Sequence, residues 1–246
     1  MNGYQDFARY YDALTSNVDY PAMAERLDAL IRAYGNGGKI LLDVACGTGT
    51  LCGALAARGY DVIGADRSPE MLNVAFEKKL ESGLDIQYIC QDMTNLNLYG
   101  GADAVISTLD SFNHLNGFAQ LDKTFGRIVR FCNPGAVFLF DMNTCYKHDS
   151  ILAGHSFVYE TDAVFCAWQN AAEQAHTVRV LLDFFVKEEN GYQRFSEEFT
   201  ETAYPAAEIE ALLARHGFAV IGQFDGYTAA PLCETSERVL FVSKKR

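Results

Sequence analysis

The stretch LLDVACGTGTLCGALAARGYDVIGAD, from Leu41 to Asp66, limits what this chain can fold into more than any other part of it. It reads as a hydrophobic strand, a glycine loop, a helix, a second strand and a terminal carboxylate. A helical crossover joins parallel strands, and parallel strands covered on both faces make an α/β sheet. The alternation continues along the first half of the chain. Strands are predicted at 39–44, 61–65, 85–90, 102–107 and 136–141, with helices at 48–58, 69–81 and 118–131. Two more helices come first, at 4–14 and 20–34, the second carrying Met23, Leu27, Leu30 and Ile31 at helical spacing. Pro69 takes a favoured first-turn position, with Ser68 before it as a cap.

From about Thr144 helical spacing gives way to period-two alternation. Val178, Val180, Leu182, Phe184 and Val186 share one strand face, and Glu189-Asn190-Gly191 turns the chain into a strand at 192–204. Shorter strands at 156–160 and 163–170 complete a small antiparallel unit. A helix at 205–216 and strands at 218–224 and 238–243 return to the α/β pattern. The expected fold is α/β, a doubly wound, mostly parallel seven-stranded sheet formed by 1–143 and 205–246, with 144–204 inserted as an antiparallel β unit.

Charge narrows the partners. Lys and Arg number 20 against 32 Asp and Glu, a formal charge of −12 spread along the chain. That field repels phosphate backbones, so neither nucleic acid nor an anionic membrane is expected as a partner. No segment approaches the ~18 apolar residues of a membrane span, and the start MNGYQDFARYYD has no basic-then-apolar leader pattern. The seven cysteines include no CxxC pair and sit mostly in apolar runs, which reads as buried free thiol. A reducing cytoplasm is the expected location.

Gly47 and Gly49 follow a strand and precede a helix, where bare backbone lets a ligand approach and the helix start favours negative charge on it. A GxG alone is weak evidence, but three carboxylates sharpen it. Asp66 ends the next strand, where it can accept from both hydroxyls of a ribose; it could also simply cap the helix at Pro69. Gln91-Asp92-Met93 ends the third strand, placing an acceptor for an adenine amino group beside a backbone N–H, or merely a turn residue. Asp43, just before the loop, would repel a phosphate and welcome an ammonium. A ligand carrying adenine, ribose and an amine satisfies all three. A nicotinamide dinucleotide fits less well, because its loop normally reads GxGxxG and here the third glycine, Gly53, falls one place late.

At these residues the chain resembles the class I, Rossmann-like methyltransferases that use S-adenosylmethionine and release S-adenosylhomocysteine. DVACGTG (Asp43, Ala45, Cys46, Gly47, Gly49) resembles the family's glycine motif, with Ala45 where a first glycine is common. ADRSPEML, containing Asp66, Arg67 and Met71, resembles its acidic motif, and CQDMTNL, containing Gln91, Asp92 and Met93, its adenine-side motif. The resemblance implies a Rossmann-like core over 4–143 and 205–245. It also implies that STLDSFNH, 107–114, passes the methionine end of the cofactor at Leu109 and faces the acceptor with Asp110, Asn113 and His114. These three are equally readable as turn and capping residues. His114 has the ordinary pKa of a general base, although a free amine acceptor needs none. Tyr10-Tyr11-Asp12 resembles an aromatic stretch that folds over the cofactor in small-molecule members, where Tyr11 would suit a sulfonium; packing the first helix on the core is the plainer use.

The fourth strand is not followed by Pro-Pro-aromatic, and no Pro-Cys nucleophile appears, so a small-molecule methyl acceptor is expected. Asp110, Asp141 and Asn143 could in principle hold Mg²⁺, but Asp141 more simply hydrogen-bonds the neighbouring loop, and no metal is expected. The β insert is expected to be a substrate lid offering Tyr159, Trp168, Phe185, Tyr192, Arg194 and Phe195, or else the contact of a homodimer. A cofactor-binding protein without transferase activity would share every one of these motifs.

Overall fold

The computed structural model describes residues 3–246, with side chains from Ala8 onward. Helices α1 (Gly3–Leu14) and α2 (Tyr20–Tyr34) lead into β1 (Ile40–Val44), α3 (Thr50–Ala56), β2 (Asp61–Asp66), α4 (Pro69–Ser82), β3 (Ile86–Cys90), β4 (Ala102–Ser107), α5 (Phe118–Ile128) and β5 (Cys132–Asn143). Four strands follow, β6 (Ser156–Glu160), β7 (Val164–Gln174), β8 (Thr177–Glu188) and β9 (Gly191–Thr202). The chain closes with α6 (Ala206–Arg215), β10 (Phe218–Asp225) and β11 (Arg238–Lys245).

The large sheet runs in the order β3-β2-β1-β4-β5-β11-β10, parallel except for β11, which is antiparallel to both neighbours. Strand order reverses between β1 and β4, which opens a crevice beyond their carboxyl ends. Alternation on the strands feeds two cores. Leu42, Val105, Phe138 and Phe140 pack with Phe125 of α5 and Leu213 of α6 on one face. Leu41, Ile106 and Leu139 pack with Leu27, Leu55 and Leu72 of α2, α3 and α4 on the other. Local chemistry sets the helix ends: Asp19 accepts from Ala22 N–H at the start of α2, and Ser68 accepts from Met71 N–H behind Pro69 at the start of α4.

The second sheet, β6-β7-β8-β9, is antiparallel throughout. Its inner face packs Cys166, Phe184 and Phe195 against Tyr10 and Leu14 of α1, and Val178 and Val180 against Leu152. Several boundaries differ from expectation. α3 starts at Thr50 because Gly49 is left-handed, at φ 71. α5 ends at Ile128 and tightens into a 3₁₀ turn over Val129–Phe131. A single π-helical turn, Lys147–Leu152, follows β5 and was not expected.

Candidate active site

A cavity of about 800 Å³ lies between the carboxyl edge of the large sheet and the inner face of the small one. At one end β1 delivers Ala45 and Gly47, both left-handed, at φ 62 and 54. Gly47 has open space where a Cβ would stand, so the loop meets the cavity as bare backbone. Ala45 holds the same kind of backbone with a Cβ, at a cost of about 1–2 kcal/mol. The Asp66 carboxylate accepts from Gly47 N–H at Oδ2 and from Ser68 N–H at Oδ1, each at 2.8 Å. Each oxygen keeps a lone pair, so the group is fixed in direction and still able to take two hydroxyl donors. Burial pushes this carboxyl upward, and the two N–H groups work against that shift.

β3 runs out into Gln91, Asp92 and Met93 on the same wall, where Arg67, Met71 and Leu109 also stand. Asp92 Oδ1 accepts from Thr94 N–H at 2.7 Å, and Gln91 is tied to the Asn97 backbone. An oriented carboxylate, a second acid on the next strand, bare loop backbone and apolar walls together fit an adenosine ligand. α1 covers this end. Tyr11 lines the cavity, with burial driving its phenol far above the ordinary value. Asp12 accepts from Thr48 Oγ1 at 2.7 Å and pairs with Lys78, which ties α1 to the glycine loop and α4.

Of the residues picked out by the sequence for the cofactor and for catalysis, four do not reach the cavity wall. Asp43 is 1% exposed, accepts from Cys52 Sγ at 3.2 Å, and is raised by burial to about 7. It lies beneath the loop, off the cavity wall. Cys46 turns its sulfur toward Gly64, where an added Cβ would meet it at 2.9 Å. Gly49 serves packing, since a Cβ there would fall 2.3 Å from Tyr88 Oη. Asn113 is fully buried: its amide donates to the Asn143 and Thr202 carbonyls, and its oxygen accepts from Asn143 N–H. That side chain clasps β5 to β9.

Leu109 and Asp110 are consecutive left-handed residues, both at φ 55. Asp141, at the end of β5, holds them by accepting from Leu109 N–H at 2.9 Å and Asp110 N–H at 2.7 Å. Its carboxylate also accepts from the Tyr227 hydroxyl and from Arg238 Nη1. With four donors on it, one of them the Arg238 guanidinium, Asp141 is not available to a metal ion, which argues against the Mg²⁺ arrangement with Asp110 and Asn143. Arg238 Nη2 reaches Asp110 Oδ1 at 2.5 Å. Burial pushes the Asp110 carboxyl up, but the Arg238 guanidinium above all brings it down to about 2.

The other end of the cavity is walled by the small sheet. Tyr159 and Trp168 line it as expected, joined by Phe157, Leu182, Phe184 and Phe199. Phe185 and Arg194 pair on the opposite face, the guanidinium 5.7 Å from the ring centre; Tyr192 shares that face, opposite Lys187. Phe195 is covered by Tyr10. Two carboxylates, Glu197 and Glu201, share the inner face of β9 with Phe195 and Phe199. Neither was singled out in the sequence, although acids in phase with the apolar positions of an amphipathic strand are a readable signal. Glu201 Oε1 lies 3.5 Å from His114 Nε2, and Oε2 lies 3.6 Å from His148 Nε2. Burial, then the charge of Asp110, raises Glu201 to about 8, while burial lowers His114. Asp110, His114 and Glu201 bring potential ligand atoms within 4.8 Å of one another, although Arg238 already counters the Asp110 charge.

Comparison with known proteins gives the family. A methyltransferase domain family model matches residues 41–135. A putative methyltransferase of Geobacillus sp. (strain WCH70) is 33% identical over 245 residues, covering 98% of this chain and 99% of its own. The chain belongs to the class I S-adenosylmethionine-dependent methyltransferases. A crystal structure of an S-adenosylmethionine-dependent methyltransferase from Clostridium acetobutylicum ATCC 824 matches at TM-score 0.91 and 32% identity, over 99% of both chains. The sugar N-methyltransferase KedS8 of Streptoalloteichus sp. ATCC 53650 matches at TM-score 0.79 and 26% identity, over 94% of this chain and 90% of its own.

Proposed function

We propose that this methyltransferase acts on the amine of a small molecule. The carrying observation is the wall of the acceptor end, where Asp110, Glu197, Glu198 and Glu237 stand among aromatic rings against only Lys147 and Arg238. Carboxylates and aromatic faces both suit a cationic group. Likeness to a sugar N-methyltransferase supports the same reading. In this reading S-adenosylmethionine is held by Asp66, Asp92 and the Gly47 backbone, covered by Tyr11, and supplies an electrophilic methyl. Residues 144–204 act as the lid that shapes acceptor choice. His114 takes the proton that the amine sheds, and burial keeps its ring neutral and able to do so. All seven cysteines are free, which suits a reducing cytoplasm. Among the described residues no helix is long and apolar enough to cross a membrane.

The test is S-adenosylhomocysteine release with a panel of amino acids, amino sugars and simple amines beside their hydroxyl counterparts. Turnover with amines is the expected result. Turnover confined to hydroxyl acceptors would contradict the reading.

A further inference from the structure

We propose that Glu201 and His148 form a buried proton relay behind His114, an inference that rests on the reading of His114 as proton acceptor and extends it. His148 is fully buried on the turn Lys147–Leu152. Its Nδ1 lies 2.9 Å from the His176 carbonyl oxygen, which can only accept, so Nδ1 carries the hydrogen. The neutral ring then presents a lone pair at Nε2, and the atom facing it, 3.6 Å away, is Glu201 Oε2. Two lone pairs do not attract, so a proton belongs between them. Burial keeps it on the carboxyl, raised to about 8, and lowers His148. With Oε2 protonated, Oε1 is left as an acceptor facing His114 Nε2 at 3.5 Å. That arrangement sets the His114 hydrogen on Nε2 and leaves Nδ1 with the free pair. At 3.5 and 3.6 Å both separations are longer than hydrogen bonds, and the relay requires them to shorten when the acceptor is bound.

The relay balances. The amine proton goes to His114 Nδ1, the Nε2 proton passes to Glu201 Oε1, and the Oε2 proton passes to His148 Nε2. One positive charge leaves the acceptor and passes transiently to His148, whose burial drives it back, with Glu201 again a neutral acid. Asp110, Lys147, Asp149 and Arg238 are the charged groups facing Glu201 and His148, Arg67 adds its charge at His114, and Asn143 Nδ2 donates to Glu201 Oε2. The reverse shift, through His114 at the cavity wall, resets the chain.

Glu201→Gln tests it, because the amide keeps a donor toward His148 and an acceptor toward His114 but cannot pass a proton. With the best amine of the panel, kcat should fall about ten-fold or more, with KM and S-adenosylhomocysteine affinity unchanged and the pH profile altered. His114→Ala is run beside it. Loss of activity in His114→Ala with a wild-type rate and pH profile in Glu201→Gln overturns the relay and leaves the base reading standing. Full activity in His114→Ala removes the base itself, and the relay with it. If Glu201→Gln does not bind S-adenosylhomocysteine, imidazole nitrogen NMR of the wild type decides. Hydrogen on Nδ1 of His148 and Nε2 of His114 is expected, and the opposite tautomer in either ring overturns the proposal.

Discussion

The residues that matter most here sit in backbone or charge states that their types normally avoid. Ala45, Leu109 and Asp110 are left-handed without being glycine, and all three border the cavity. Strain of this kind persists where the surroundings over-determine it, as Asp141 does for Leu109 and Asp110. Ala45→Gly should raise stability by up to about 1 kcal/mol, the relief of left-handed strain less the added freedom of the unfolded chain; thermal melts check it. Asp43 carries the second kind of anomaly. Its folded carboxyl titrates at about 7, above its unfolded value, so its stabilising proton is fully present at low pH and is lost as pH rises through 7. Glu201 acts in the same sense, up to about 8. Melting temperature should therefore fall between about pH 6.5 and pH 8, above the range where His114 and His148, lowered by burial, act in the opposite sense, and Asp43→Asn should flatten that fall. A flat wild-type profile would show that Asp43 is not held protonated. None of this was legible in the motif DVACGTG, where Asp43 reads as a ligand contact. Its orientation beneath the loop is set by Cys52, a partner on the next helix.

At the scale of elements, the strands of the large sheet were legible because their hydrophobic runs and turn residues agree. β6 was expected at 156–160 and forms over Ser156–Glu160. The π turn at Lys147–Leu152 was not legible, because its apolar residues, Ile151 and Leu152, are placed by the small sheet packing on it and not by any local period. Arg238 was missed for a related reason. It opens β11, and its role depends on Asp110 and Asp141, which lie more than 90 positions away in sequence. Removing it by Arg238→Met leaves buried Asp141 and half-buried Asp110 without their cation, and stability should drop by about 3–5 kcal/mol. Denaturant unfolding measures this, and a loss within experimental error would mean that the Tyr227 hydroxyl and the backbone donors suffice. Asn113→Ala removes the clasp between β5 and β9 and should cost about 1–3 kcal/mol, with S-adenosylhomocysteine affinity preserved.

The whole molecule is two sheets facing across a cavity, with α1 closing the end beside Asp66. The sequence brings out one end of the cavity well, because Gly47, Asp66 and Asp92 lie at strand ends whose positions follow from topology alone. It brings out the end walled by the small sheet poorly. Which face of β8 and β9 turns inward depends on packing against α1, so Phe185 and Arg194 were weighed alongside Tyr159 and Trp168, while Glu197 and Glu201 passed unnoticed. The central claim is that the cavity beside Asp66 is the cofactor site, and calorimetric titration of S-adenosylhomocysteine into the wild type and Asp66→Ala tests it most directly. The account predicts binding to the wild type and a loss of about 1–3 kcal/mol in the variant, the value of hydrogen bonds to a charged group. Equal affinity in both proteins would contradict it and move the cofactor away from the end of β2.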